Sequence, residues 1–292
     1  MPAARTLDLV TAARDGGYAV AAVNIVDDLS VRAVVAAAED LQAPIILQTS
    51  VKTLRGSGAL LMERIVRTVA DASTVPVALH LDHCPHRDVI TAALDAGWSS
   101  VLFDASDRSY AQAYEETVEV VAEAHAAGAA VECEIENITG VEDDIGSNEE
   151  VEPYPVEQLV AFAEETGSDL LAPALGTAHG LYTSAPRLRP DRARALRELT
   201  DLPLVLHGGT GLPAEDFTEF IRAGVSKINI STALKLAYMR SAAAHLEDAA
   251  QTGKYEPVKM FDDIFAGVRD EIAMHLEMFG CAGKASAGEV RA

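Results

Sequence analysis

Apolar residues cluster in short runs along this chain, and stretches of helical periodicity separate the runs. Eight runs read as strands: Ala19–Val23, Pro44–Gln48, Val77–Leu81, Ser100–Phe103, Ala130–Glu134, Leu170–Ala174, Pro203–Leu206 and Lys227–Ile230. Helices are predicted near 28–42, 57–73, 86–97, 108–127, 156–167, 190–200, 213–223 and 231–250, where apolar positions recur every three or four residues. The strands are apolar enough to be covered on both faces, as in parallel sheets. Strands that alternate with helices build parallel βα units of the α/β class. Eight units is the count that closes a (β/α)8 TIM barrel, and 292 residues is a suitable length. Helices at 6–15 and about 260–278 then form an extra N-terminal helix and a C-terminal helical extension of one domain. A doubly wound open sheet would show the same alternation and is the alternative architecture.

One segment breaks this rhythm. Thr139–Pro155 is long, acidic and without periodicity, and it follows the fifth strand. Such a loop inside a compact domain is usually a functional lid or disordered, and this one would overhang the face where barrel active sites lie. Gly280 suits the left-handed end of the last helix. The small, polar residues from Cys281 onward read as a frayed terminus.

Composition then narrows the class. The formal charge of −22 sets the chain against the phosphate backbone of nucleic acid. There is no run of 18 uncharged apolar residues to span a membrane, and Met1–Leu7 lacks the apolar stretch of a secretory signal. Cys84, Cys133 and Cys281 are too scattered for a disulfide framework or a metal knuckle. A cytoplasmic protein that binds neither nucleic acid nor membrane is expected. A phosphorylated ligand would need local help against the global charge, from helix N-termini and a bound cation.

The polar residues fall at one end of the predicted strands. Asn24, Ser50, Asp82-His83, Asp104, Glu134, His179, His207 and Asn229 all lie at or just beyond carboxyl ends, the active face of a barrel. Three are histidines on tight turns, His83, His179 and His207, and three imidazoles that leave one position open make a catalytic zinc site. Asp82 would stand beside that position as a proton shuttle, or else orient an imidazole. Glu132 and Glu134 alternate with Val131 and Cys133, so both face one side of the fifth strand. With Asp104 they could hold a cation, or each could pair with a Lys or Arg. His80 shares the Asp82 side of its strand, whereas His86, His125, His245 and His275 read as structural or exposed. Lys227 lies in a barrel strand, two residues before Asn229, and reads as structural.

An anion site is legible after the last two strands. His207-Gly208-Gly209-Thr210-Gly211-Leu212-Pro213 is glycine-rich and opens a helix, and Asn229-Ile230-Ser231-Thr232 also passes from strand to helix. Barrels commonly hold phosphate between these loops, on free N–H groups and the helix dipole.

These residues resemble the class II, zinc-dependent fructose-bisphosphate and tagatose-bisphosphate aldolase family, from Tyr18 to the end of the final helix. The resemblance is carried by Val75–His83, Gly176–Tyr182, His207–Pro213, Lys227–Ile230 and Ala282–Ala285. It implies that His83, His179 and His207 hold Zn2+ and that Asp82 is the acid/base at the aldehyde end. Gly180, Gly208, Gly209, Thr210 and Asn229, Ile230, Ser231 and Thr232 would grip dihydroxyacetone phosphate, with Asn24 and Ser50 completing the substrate set. Asp104 and Glu134 match a second cation site, monovalent or divalent, of some members. Glu142 matches the carboxylate that moves a proton at the nucleophilic carbon. The implied reaction is reversible cleavage of a ketose (bis)phosphate in carbohydrate metabolism such as glycolysis, by a homodimer or homotetramer. The chain departs from the family at Thr183 and Val258, where cations are usual, at Glu136, usually glycine, and at Cys84-Pro85. Another metal-dependent sugar-phosphate barrel enzyme, an isomerase or epimerase, and a silent binding protein are the rival readings.

Overall fold

The computed structural model describes residues 4–143, 145–147, 149, 151–180, 182 and 185–285. The strands are β1 (Val20–Asn24), β2 (Ile45–Ser50), β3 (Val77–Cys84), β4 (Ser100–Asp104), β5 (Ala130–Glu134), β6 (Gly140–Glu142), β7 (Ile145–Ser147), β8 (Leu170–Leu171), β9 (Leu204–Leu206) and β10 (Val225–Ile230). The helices are α1 (Thr6–Gly16), α2 (Asp28–Asp40), α3 (Val51–Ser57), α4 (Ala59–Ala72), α5 (Arg87–Asp95), α6 (Tyr110–Ala126), α7 (Val156–Thr166), α8 (Pro190–Leu199), α9 (Ala214–Arg222), α10 (Thr232–Thr252) and α11 (Pro257–Met278). Eight strands close in the order β1-β10-β9-β8-β5-β4-β3-β2, and every pairing is parallel. Val20 of β1 lies in register with Lys227 of β10, which closes the (β/α)8 barrel and excludes the open sheet.

Burial explains the composition of the strands. Every residue of these eight strands is buried, because the helices cover the outside and side chains fill the inside. α1 covers the amino-terminal mouth, where the Ala4 N–H donates to the Val77 carbonyl at 2.8 Å and buried Thr6 meets the Ser100 hydroxyl at 2.6 Å. At the other terminus α11 packs on α2 and α10.

Four local expectations are corrected. The sixth barrel strand stops at Leu171 rather than Ala174, since Pro173 has no N–H to continue the ladder. The helix predicted near 57–73 is α4, but an unpredicted short helix precedes it: Ser50 caps α3, and Gly58, at φ 87°, separates it from α4. The aperiodic segment after β5 holds a hairpin, β6 paired with β7, whose strands are too short to show periodicity. Asp143 in its turn has φ 50°, a left-handed value that Asp tolerates and two-residue hairpins favour. The terminus read as frayed is docked as far as Ala285, where Gly283 and Ala285 donate N–H bonds to Leu41 and Gln42 at 2.8 Å each. Gly280 does take the left-handed conformation, at φ 69°.

Candidate active site

The site begins with an irregularity in β3. Between Leu81 and Cys84 the pairing with β4 slips by one residue, and His83 takes φ 40°. A bulge of this kind re-aims side chains. Here Asp82 and His83, which would alternate in a regular strand, both line the same cleft. A non-glycine residue held at positive φ is strained, and such strain gathers at functional sites.

His83, His179 and His207 converge there. One ligating atom from each lies within 4.8 Å of the others, although they come from three separate strand ends. Nε2 of His83 and Nδ1 of His207 face one another at 2.7 Å. Their remaining ring nitrogens are engaged by carboxylates: His83 Nδ1 lies 3.0 Å from Asp104 Oδ2, and His207 Nε2 lies 2.8 Å from Glu132 Oε1. An ionised carboxylate only accepts, so each of these two outer nitrogens carries a proton, and the inward nitrogens are the ones a metal ion would take, the arrangement of metal-binding histidines.

Asp104, Glu134 and His83 form a second group with ligand atoms equally close. Glu134 supplies the test of whether a cation fits. Its Oε2 is buried without a hydrogen-bond partner, 3.8 Å from His83 Nδ1 and 3.7 Å from His207 Nδ1. A buried carboxylate oxygen left unmatched costs free energy that a cation would recover. Burial pushes the Glu134 pKa well up, with Asp104, Glu132 and Asp82 adding to it against His83. Burial would lower the His83 pKa, yet Glu134, Asp82 and Asp104 raise it well above the usual value. Burial, with the charges of His83 and Lys227, holds His207 well below its usual value. Burial opposes the Asp104 carboxylate, but hydrogen bonds from His83 and Ser106 hold its pKa to about 2. Positive charge placed among these groups would relieve the crowding of carboxylates. The residues therefore fit a metal ion, with an imidazole set that suits zinc.

Asp82 is held by two amides. Asn24 Nδ2 donates to Oδ2 at 2.9 Å and Asn229 Nδ2 donates to Oδ1 at 3.0 Å. Gln48 Nε2 donates to Asn24 Oδ1 at 2.7 Å and so fixes which way that amide faces. Gln48 did not stand out in the sequence, although it is a polar residue directly after Ile45-Ile46-Leu47 in a fully buried strand.

The cleft is lined by Asp82, His83, His179, Gly180, the turn His207–Thr210, and Asn229, Ser231 and Thr232. Gly208 allows its two loops to touch, because a Cβ there would strike the Ala178 backbone. Tyr182, which the sequence marked only as part of a motif, accepts from the Ala178 N–H at 3.3 Å and donates to the Gly208 carbonyl at 2.6 Å. Thr210 Oγ1 accepts from the Ala233 N–H at 3.3 Å, whereas Ser231 Oγ is buried with no partner. Ser231 makes no side-chain cap on α10. An anion would match such a helix start and its unused hydroxyl. Ile230 is buried in β10 beside the cleft, outside its lining. Ser50 stands in register with Asp82 and caps α3 through a bond from the Thr53 N–H.

Glu142 ends β6, the first strand of the hairpin. The hairpin base meets the candidate metal site directly: the His179 N–H donates to the Thr139 carbonyl at 2.9 Å. At the turn Asp143 pairs with Lys235 Nζ of α10 at 2.8 Å. Glu136 is buried and accepts from the N–H groups of Tyr154 and Ala174 at 2.8 Å each and from Arg192 at 2.6 Å, tying the hairpin segment to the β8 loop and α8. Thr183 lies outside the described residues, and Val258 is exposed on the first turn of α11.

A parallel barrel with its polar side chains gathered at the strand carboxyl ends places the chain among the TIM-barrel enzymes. Comparison with known proteins narrows this. A family model described as "Fructose-bisphosphate aldolase class-II" matches residues 4–284, and the chain belongs to that family. It is 36% identical over 284 residues to a fructose-bisphosphate aldolase of Geobacillus stearothermophilus, covering 96% of this chain and 97% of that one. Among solved structures it is similar to a Coccidioides immitis protein provisionally named a fructose-1,6-bisphosphate aldolase. That pair has a TM-score of 0.89 and 27% identity, covering 96% of this chain and 98% of the other. The YdjI aldolase of Escherichia coli K12 is also similar, with a TM-score of 0.84 and 27% identity over 98% of this chain and all of the other. The protein is an aldolase, a lyase of the class II family.

Proposed function

We propose that this aldolase is zinc-dependent and reversibly cleaves a ketose phosphate into dihydroxyacetone phosphate and an aldehyde. The observation that carries the reading is the convergence of His83, His179 and His207 beside Asp82 and the unmatched oxygen of Glu134. The three histidines would hold the ion, and Asp104 with Glu134 would hold a second cation. When bound, zinc supplies a Lewis acid against the electron density that carbon–carbon cleavage leaves beside the ketone. Asp82, with both oxygens anchored by Asn24 and Asn229, moves the proton of the hydroxyl that becomes the aldehyde. Glu142 moves the proton at the nucleophilic carbon. The turn Gly208–Thr210, Gly180 and the start of α10 grip the phosphate of the dihydroxyacetone part.

The names of the relatives point to fructose 1,6-bisphosphate, but this chain's own residues point to one phosphate only. Val258 is 72% exposed and neutral, and the chain carries a formal charge of −22. One charge-assisted contact is worth about 1.5–3 kcal/mol, so losing it weakens a bisphosphate roughly ten- to a hundredfold. The substrate we propose has a phosphate at the dihydroxyacetone end and a neutral or differently charged group at the other. A coupled triose-phosphate assay over fructose and tagatose 1,6-bisphosphates and the matching 1-phosphates, with and without added zinc, tests both statements. An isomerase or epimerase would yield no triose, and a bisphosphate preferred by about tenfold in kcat/KM would refute the single-phosphate reading. We also propose a cytoplasmic homo-oligomer, on two grounds. Cys84, Cys133 and Cys281 are free, and Met239, Leu246, Tyr255 and Phe261 are exposed along α10, α11 and their connection. A mass measurement in solution checks the assembly.

A further inference from the structure

Beneath the candidate metal site the barrel interior is polar, where branched apolar side chains are the rule. Lys227 lies at its centre, fully buried. Its Nζ donates to Glu132 Oε2 at 2.7 Å and to Asn229 Oδ1 at 2.9 Å, and lies 3.5 Å from His80 Nε2. A buried ammonium and carboxylate lose several kcal/mol of hydration each, and apolar residues of similar volume often replace such a pair without loss of stability. Stability is therefore a weak account of Lys227.

Its partners offer a better one, because each also touches the site. Glu132 accepts from Lys227 with one oxygen and from His207 Nε2 with the other, at 2.8 Å. That bond directs the His207 proton downward and leaves Nδ1 facing His83 and the cleft. Asn229 has the same dependence. An ammonium only donates, so the amide must turn its oxygen to Lys227, and its NH2 then meets Asp82 at 3.0 Å. Flipping that amide would set NH2 against ammonium and oxygen against carboxylate. Lys227 thus has a line to a histidine of the metal group and another to the carboxylate beside it.

We propose that Lys227 is a positioning residue of the aldolase reaction, orienting His207 toward the metal through Glu132 and fixing the amide that holds Asp82 through Asn229. The assignment rests on the zinc reading above. Nζ is enclosed by Glu132, Asn229 and His80 and lies below the cleft lining, so the lysine acts through its neighbours and not on substrate.

Two variants test it: Lys227→Met, and Lys227→Met with Glu132→Gln, which leaves no unpaired buried charge. Each is stripped with a chelator, titrated with zinc and with cobalt, and compared with the wild type in metal affinity, cobalt absorption spectrum, melting temperature and steady-state kinetics. The expected result is a metal affinity lowered about 10–100-fold in both variants. The cobalt spectrum is altered, and at saturating metal kcat falls with KM little changed. The double variant recovers melting temperature without recovering affinity. Wild-type affinity and spectrum in a folded variant would overturn the assignment. So would a double variant that cannot fold, since Lys227 would then be holding the barrel and not the site. A wild-type chain that bound neither metal would overturn the zinc reading and this assignment with it, an outcome distinct from tight wild-type binding matched by both variants.

Discussion

Asp82 shows how much a single side chain depends on its supports. Each of its oxygens receives an amide N–H, and those amides are themselves oriented, one by Gln48 and the other by Lys227. Asp82→Asn keeps the shape but offers one N–H2 to an amide that already donates. We expect it to retain metal and ligand while kcat falls by roughly 10²–10⁴-fold, the contribution of a general acid–base group. Steady-state kinetics and metal analysis of the same sample check this. Loss of the metal with normal turnover on reconstitution would mean that Asp82 serves only to orient a histidine. His207→Ala removes a member of the metal group, so both affinity and rate should fall in a chelator competition assay.

Among the elements, the β6–β7 hairpin is held at three places of unequal strength. The Lys235–Asp143 pair at its turn is partly exposed, the kind worth at most about 1 kcal/mol. The Glu136–Arg192 pair is buried, and breaking a buried pair by removing one partner costs about 3–5 kcal/mol. Glu136→Ala should therefore lower stability by about that amount in denaturant titration, whereas Lys235→Ala should change it by less than about 1 kcal/mol. At the hairpin base Gly140 has φ 117°, and a Cβ there would stand 2.8 Å from the His179 backbone N and O. Gly140→Ala should displace His179 and weaken zinc binding, read by competition with a chelator. Unchanged affinity would show that the hairpin does not position this histidine. These elements also mark the limit of what the sequence discloses. The barrel strands are short apolar runs, most of which end in reactive residues, so Asp82, His83, Glu134, His207 and Asn229 could be placed before any coordinates. The hairpin has three-residue strands, too few for a period, and the bulge at His83 leaves no compositional trace. The partners of Gln48, Glu136 and Glu132 are distant in sequence and meet them only when the strands pair: Asn24 from the adjacent β1, Arg192 from α8, and His207 and Lys227 from beyond β8.

For the molecule as a whole, the metal and the fold are expected to be coupled. A ligand that binds only the folded state stabilises it by RT ln(1 + [L]/Kd), about 4 kcal/mol at a thousandfold excess over Kd. The purified protein should carry about one zinc per chain by elemental analysis. Exhaustive chelation should abolish cleavage and lower the melting temperature, and added zinc should restore both. Full activity after chelation would sink the zinc reading.

The closure of the barrel between β1 and β10 has a consequence in time. Val20 is made roughly 200 residues before its neighbour Lys227, a delay of about 10–40 s at ordinary rates of synthesis. Throughout that interval the free edge of β1 has no neighbour, and an unpaired parallel edge is a template for pairing with another nascent chain. Lys227, Asn229 and the start of α10 are made only after His83, His179 and His207. A chain truncated near residue 220 therefore lacks both the seal and the Lys227 and Asn229 supports of the candidate site, and cells that stall in translation there should accumulate this protein with chaperones rather than as a partly active enzyme.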